Sequence, residues 1–165
     1  MAENFSFDIV SDFDRQELVN TIDQVNRETS QRYDLKSTKT SIELDQENIS
    51  ILTDSELTLN SVIDILRQKA TKRKLSLKIF DFQPIEVISG NRVKQTINLK
   101  KGLNQEIGKK ISKEIRNEFK KINISIQGDN LRVTSKSKND LQMVIKMLDR
   151  LEESLNVPLQ TNNYR

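Results

Sequence analysis

The segment Ser41 to Leu66, SIELDQENISILTDSELTLNSVIDIL, returns without a gap 82 residues later as Asn123 to Leu148, NISIQGDNLRVTSKSKNDLQMVIKML. What recurs is apolar spacing. Ile42 matches Ile124, Leu44 Ile126, Ile49 Leu131, Ile51 Val133, Leu59 Leu141, Val62 Val144, Ile63 Ile145 and Leu66 Leu148. Alternation at Ile124 and Ile126, the turn residues Gln-Gly-Asp-Asn, and alternation again at Leu131 and Val133 specify a hairpin with one apolar face. Leu141, Val144, Ile145, Leu148 and Leu151 follow at helical spacing, and Ser137 with Asp140 three residues on forms a capping signal. Each copy therefore reads strand, turn, strand, helix. A chain built this way folds as two similar small units, so the duplication constrains the fold more than any other feature.

The flanking segments complete the pattern. Phe5, Phe7 and Ile9 alternate with Ser6 and Asp8 as a short strand, and Ser11 to Asp14 caps an amphipathic helix carrying Leu18, Ile22 and Val25 to about Tyr33. The helix of the first copy ends in Lys72, Arg73 and Lys74, which complement its dipole. Leu75 to Phe82 reads as a strand with Leu77 and Ile79 on one face and Phe80 and Phe82 on the other; Pro84 interrupts it and Ile85 to Ile88 resumes it. Ser89-Gly90-Asn91 turns the chain into a strand at Val93 to Leu99. A third helix carries Leu103, Ile107, Ile111, Ile115 and Phe119 or Ile122, with Lys109, Lys113, Arg116 and Lys120 on the opposite side, and a last strand lies at Val157 to Leu159 or a little beyond. The order is βαββαβ twice, residues 1 to 90 and 91 to 165, an α+β class in which each copy is a four-stranded antiparallel sheet with two helices on one face.

Composition narrows the chemistry. The chain has no Cys and no His, which removes disulfides, thiolate nucleophiles, imidazole catalysis and the usual zinc ligands. Its four glycines are too dispersed for a phosphate-cradling loop, and its carboxylates form no readable cluster, so neither an enzyme nor a metal or cofactor is expected. No stretch approaches the roughly 20 apolar residues of a membrane span, and the start lacks the features of a signal peptide. A cytoplasmic protein is the expectation.

Charge divides the copies. Residues 1 to 90 carry 11 basic and 16 acidic side chains, and residues 91 to 165 carry 16 basic and 8 acidic. Ser50, Asp54, Glu56 and Asp64 of the first copy are replaced by Arg132, Lys136, Lys138 and Lys146 in the second. This asymmetry points to a polyanionic partner for the second copy. Arg132, Lys136, Lys138, Lys109 and Lys110 are the candidate phosphate contacts, with Arg132 projecting from the sheet and Lys136 and Lys138 preceding a helix N-terminus. Phe5 or Phe7 is a candidate stacking platform; burial between sheet and helices is the competing reading. The strands NISILTD and NLRVTSK lack the aromatics of an RNA-recognition motif. The alternative to nucleotide binding is a protein-interaction or chaperone-like adaptor docking an acidic partner.

FDIVSD, NRETSQRYDL, KKGLNQEIGKKI, ISIQGDNLRVTSKSKNDLQMVI and the terminal PLQTNNYR resemble, in order, the bacterial YajQ family. The resemblance implies two ferredoxin-like domains that exchange their first strands, so that Phe5 to Val10 joins the second domain and Val93 to Leu99 the first. It also implies a non-enzymatic nucleotide-binding protein, associated with RNA or other nucleic acid, or with a cyclic dinucleotide such as cyclic di-GMP. It assigns no individual contact residue.

Overall fold

The computed structural model describes residues 4–165, with nine strands, four α-helices and two single-turn 3-10 helices among them. The chain forms two compact units: Phe13–Leu99, and Lys100–Arg165 together with the residues up to Asp12.

In the Phe13–Leu99 unit, α1 (Arg15–Gln31), β2 (Ser41–Leu44), β3 (Asn48–Thr53), α2 (Glu56–Lys72), β4 (Phe80–Phe82), β5 (Glu86–Ile88) and β6 (Arg92–Leu99) build a sheet ordered β2-β3-β6-β4, with β5 also on β6. In the other unit, β1 (Phe5–Val10), α3 (Gln105–Glu118), β7 (Asn123–Gln127), β8 (Asn130–Ser135), α4 (Lys138–Leu155) and β9 (Gln160–Asn162) build a sheet ordered β7-β8-β1-β9. Both sheets have the ferredoxin-like arrangement, with the two hairpin strands at one side and a final short strand at the other. β1 pairs antiparallel with β8, Phe7 opposite Val133, whereas β6 pairs with β3, Ile97 opposite Ile49. The first strand of each βαββαβ pattern thus lies in the other unit, as the family resemblance implied.

Local sequence explains most of the elements. Asp14, Ser55, Asn104 and Ser137 cap the four helices by accepting backbone N–H groups of the first turn, which satisfies donors that have no partner inside the helix. Ser55 and Ser137 occupy equivalent repeat positions. The helices turn their apolar stripes inward onto alternate strand residues, giving one core around Leu18, Ile49, Ile51, Leu59 and Ile97 and another around Phe7, Ile111, Ile115, Leu131 and Leu141. Edge strands β2 and β7 are blunted alike. Asn26 Nδ2 on α1 donates to the Ile42 carbonyl at 3.2 Å and Arg116 Nη2 on α3 to the Ile124 carbonyl at 3.0 Å, occupying backbone acceptors that an edge otherwise leaves open.

Three expectations are corrected. Leu77–Ile79 is a 3-10 turn and only Phe80–Phe82 is a strand; Ser76 accepts the Lys78 N–H, and the tightened backbone lets consecutive Ile79 and Phe80 both enter the core. The final strand begins at Gln160, because Asn156 ends α4 in a left-handed conformation and Val157, Pro158 and Leu159 are buried as the lead-in. Lys138 is the first helical residue of α4 rather than part of its approach. Pro84 does break the strand beside β6, as expected, since it has no N–H for the ladder. Gln95 fills the break by donating from Nε2 to the Gln83 carbonyl at 2.8 Å, at the cost of a buried, unpartnered Oε1.

The C-terminal segment contains one extra residue. Asp8 faces Asn162, but Ser6 exchanges both backbone hydrogen bonds with Arg165, not with residue 164. Asn163, at φ 52°, is the bulged residue. The bulge moves Tyr164 to the helix-covered side, where its ring stacks on Phe7 at 6.3 Å and 14° and its hydroxyl accepts from Gln142 Nε2.

Candidate nucleotide-binding site

Alternation puts Ser6 and Asp8 of β1, Asn123 and Ser125 of β7, Arg132 and Thr134 of β8, and Asn162 of β9 on the sheet face away from α3 and α4. Among the described residues this surface carries no aromatic ring, so base stacking of the RNA-recognition type has nothing to use.

The six residues singled out in the sequence do not converge. Phe7 has no exposed surface and lies at the centre of the core. It cannot offer a face to a base, because its strand turns Phe7 and Ile9 toward the helices. Phe5 is half-buried against the same core. Arg132 projects from the open face, yet its Nε lies 3.0 Å from Asp8 Oδ1 and its Nη2 3.4 Å from Oδ2. Asn163 Nδ2, aimed by the bulge, donates to the same Oδ2 at 2.9 Å. The Arg132 hydrogen bond, helped by Asn163 and by the charges of Arg132 and Arg165, holds the Asp8 carboxyl below the usual aspartate range although burial opposes it. The Asp8 side chain is only 6% exposed against 45% for Arg132, so the guanidinium already serves a carboxylate brought in by the exchanged strand. Lys110 pairs with Glu106, 3.4 Å away.

Lys136 and Lys109 line two separate crevices. The first, about 600 Å³, is bounded by Asn4, Lys121, Asn123, Thr134, Ser135, Lys136, Ser137 and Asp140. It opens where β8 runs into α4, so the free N–H groups and positive dipole end of that helix lie close to Lys136 and Lys121. Neither lysine forms an ion pair among the described residues. Lys138 is exposed in the first turn and is not part of the lining. The second crevice, about 550 Å³, lies between α3 and edge strand β7 and contains Lys109, Ser112, Lys113, Arg116, Asn117, Ile124 and Ile126. Ile126 belongs to the apolar side of the hairpin but is 48% exposed, because β7 is the edge of the sheet among the described residues. Lys121 was not legible as a site residue; the adjacent Lys120 and Lys121 gave only a weak charge signal, and its approach to Lys136 requires the sheet.

Strand exchange also redistributes charge. Counted by compact unit, Phe13–Leu99 has 13 basic and 13 acidic residues, net zero, whereas the other unit has 14 basic and 11 acidic, net +3. Arg92 and Lys94 pass to the first unit with β6, while the carboxylates of the N-terminal segment, Asp8 and Asp12 among them, pass to the second. The contrast of −5 against +8 along the sequence is thus mostly removed by the fold. What remains basic in the second unit is local: the two crevices.

Among the described residues no group of three His, Cys, Asp or Glu side chains could hold a metal ion, and no helix is long and apolar enough to cross a membrane. Residues 5–165 match the family described as nucleotide-binding protein YajQ-like. A nucleotide-binding protein of Prochlorococcus marinus subsp. pastoris is 75% identical over the full length of both chains, one from strain MIT 9515 is 73% identical and one from strain MIT 9211 60%, again over both full lengths. Length and sequence agree along the entire match, and the chain belongs to the YajQ-like family of nucleotide-binding proteins.

Proposed function

We propose that this chain is a non-enzymatic, cytoplasmic nucleotide-binding protein that takes RNA or a cyclic dinucleotide such as cyclic di-GMP through the crevice at the start of α4. The observation that carries this reading is that Lys121 and Lys136, from different elements, line one opening with the N-terminal turn of a helix. Backbone N–H groups, the helix dipole and two ammonium groups all favour a phosphate there. Thr134, Ser135 and Asn123 supply neutral hydrogen-bonding groups beside it. The groove of Lys109, Lys113 and Arg116 is a separate basic crevice on the same unit, on the helix-covered side of β7. Arg132 and Lys110 already have carboxylate partners, so they rank below these cations.

The test is a salt titration of binding to a short single-stranded RNA and to cyclic di-GMP, with wild type and Lys121→Gln/Lys136→Gln. Removing one cation from a single-stranded RNA phosphate lowers the magnitude of the log–log salt slope by roughly 0.7, so the double variant should bind RNA more weakly with a slope reduced by about 1.4, and should also bind cyclic di-GMP more weakly. Unchanged affinity and slope would refute the assignment. The adaptor reading predicts the reverse selectivity: salt-sensitive binding to an acidic protein and none to either nucleotide.

A further inference from the structure

The motif NRETSQRYDLKSTKT builds a different feature, in the Phe13–Leu99 unit. A crevice of about 570 Å³ lies beside the end of α1, lined by Asn26, Arg27, Thr29, Ser30, Leu35, Lys36, Lys39 and Thr40. Its three cations come from one short stretch of chain. Among the described residues Arg27 and Lys39 form no ion pair, and Lys36 places its ammonium 5.3 Å from the centre of the Tyr33 ring. The nearby carboxylates are already committed: Glu28 to Lys69 at 3.2 Å, and Asp34 to Arg32 at 2.8 Å. The crevice therefore keeps uncompensated positive charge inside a unit whose net charge is zero.

The loop that supplies these cations is held in place. Leu35 enters the core, Thr38 donates to the Leu35 carbonyl at 2.6 Å, and hydroxyl contacts run from Thr38 to Thr40 and on to Thr53 at 2.7 and 2.9 Å. Arg92, from the exchanged strand β6, donates to the Lys39 carbonyl. Lys39 itself sits at φ 53°, where a side chain other than Gly or Asn is disfavoured. Packing does not require lysine there, since its side chain is exposed. Tyr33 is 87% exposed: one face of its ring meets Lys36 and the rest is open to solvent. Tyr33 lies outside the crevice lining and adjoins it through Lys36, so an exposed ring stands beside a cluster of cations, the arrangement that takes a base by stacking and its phosphate by charge.

We propose that this crevice is a second site, for a nucleoside monophosphate group, with the phosphate on Arg27, Lys36 and Lys39 and the base on Tyr33. It is independent of the α4 crevice, which lies in the other unit. The test is an amide NMR titration of the full chain with inorganic phosphate and with adenosine 5′-monophosphate. Both should perturb residues 27–40. Arg27→Gln/Lys36→Gln/Lys39→Asn should weaken both by tenfold or more, and the substituted side chains are exposed, so the remaining spectrum should be unchanged. Tyr33→Leu should weaken the nucleotide severalfold and leave phosphate binding as it was. Lys121→Gln/Lys136→Gln should leave the perturbations at residues 27–40 as they are in wild type, while weakening those around the α4 crevice. Absence of perturbation at residues 27–40, or wild-type affinity in the triple variant, overturns the site; equal nucleotide affinity in Tyr33→Leu overturns the placement of the base. Perturbation confined to Lys121, Lys136 and their neighbours would support the α4 crevice and refute this one.

Discussion

Phe7→Ala tests the strand exchange and the burial of Phe7 together. Phe7 has no exposed surface, sits opposite Val133 in the β1–β8 ladder and stacks on Tyr164. A buried phenylalanine removes roughly 150 to 250 Å² from water, which at about 25 cal/mol per Å² amounts to about 4 to 6 kcal/mol as an upper bound. Measured Phe→Ala costs in cores, cavity included, are about 3 to 5 kcal/mol. A loss of this size should lower the melting temperature of a unit of this size by well over 10 °C, at about 4 to 8 °C per kcal/mol. Hydrogen exchange of the full chain locates the damage. Protection should fall most in Asn123–Gln127 and Asn130–Ser135, which share a sheet with residue 7, and less in Asn48–Thr53. Ile97→Ala, in β6, should do the opposite. Greater loss of protection in Asn48–Thr53 than in Asn130–Ser135 for Phe7→Ala would refute the pairing, and a cost below about 1 kcal/mol, the range of ordinary surface changes, would refute the burial.

Asp8→Asn should remove a pH-dependent contribution. The Asp8 carboxyl titrates below its unfolded value of about 3.9, so its stabilisation is present above that pH and lost as pH falls through the lower folded value; the difference in urea midpoint between wild type and Asp8→Asn should shrink from pH 6 to pH 3, and a constant difference would refute it. Gly102→Ala should destabilise by about 1 kcal/mol or more, because Gly102 sits at φ 82°, its added Cβ would meet Asp129 Oδ2 at 3.0 Å, and its N–H donates to the Ser11 carbonyl; denaturant unfolding measures this. Deleting Asn163 should leave Tyr164 against Phe7, because Tyr164 then takes the slot opposite Phe7 between the Asp8–Asn162 and Ser6–Arg165 pairs, and should remove the Asn163 hydrogen bond to Asp8; tyrosine quenching should stay at the wild-type level, and increased quenching would refute this register.

Elements whose cause is local were readable from the sequence. Ser55 and Ser137 announce their helices through the N–H groups they cap, Ile49, Ile51, Leu131 and Val133 announce strands by alternation, and Pro84 announces a break by lacking a donor. The repeat extended these signals into two copies of one architecture. The turn at Leu77–Ile79 and the late start of the last strand are not legible in this way, because a tightened turn and a buried, extended lead-in both carry apolar residues at strand-like spacing.

Which unit each strand joins is a choice between partners, β1 pairing with β8 122 to 130 residues away and β6 with β3 40 to 50 residues away, and no local propensity encodes it; the family resemblance supplied that expectation. Its consequences for the site came only with the tertiary structure. The exchanged strand delivers Asp8 to Arg132, 124 residues away, and turns an expected phosphate-binding cation into half of an ion pair. It also evens out the charge that divides the two halves of the sequence. The crevice at α4 exists because Lys121 precedes one edge of the sheet and Lys136 follows its neighbour, so that two lysines 15 positions apart line one opening beside a helix N-terminus. Sequence determines which residues carry charge; only folding decides which charges remain uncompensated, because compensation depends on distance in space.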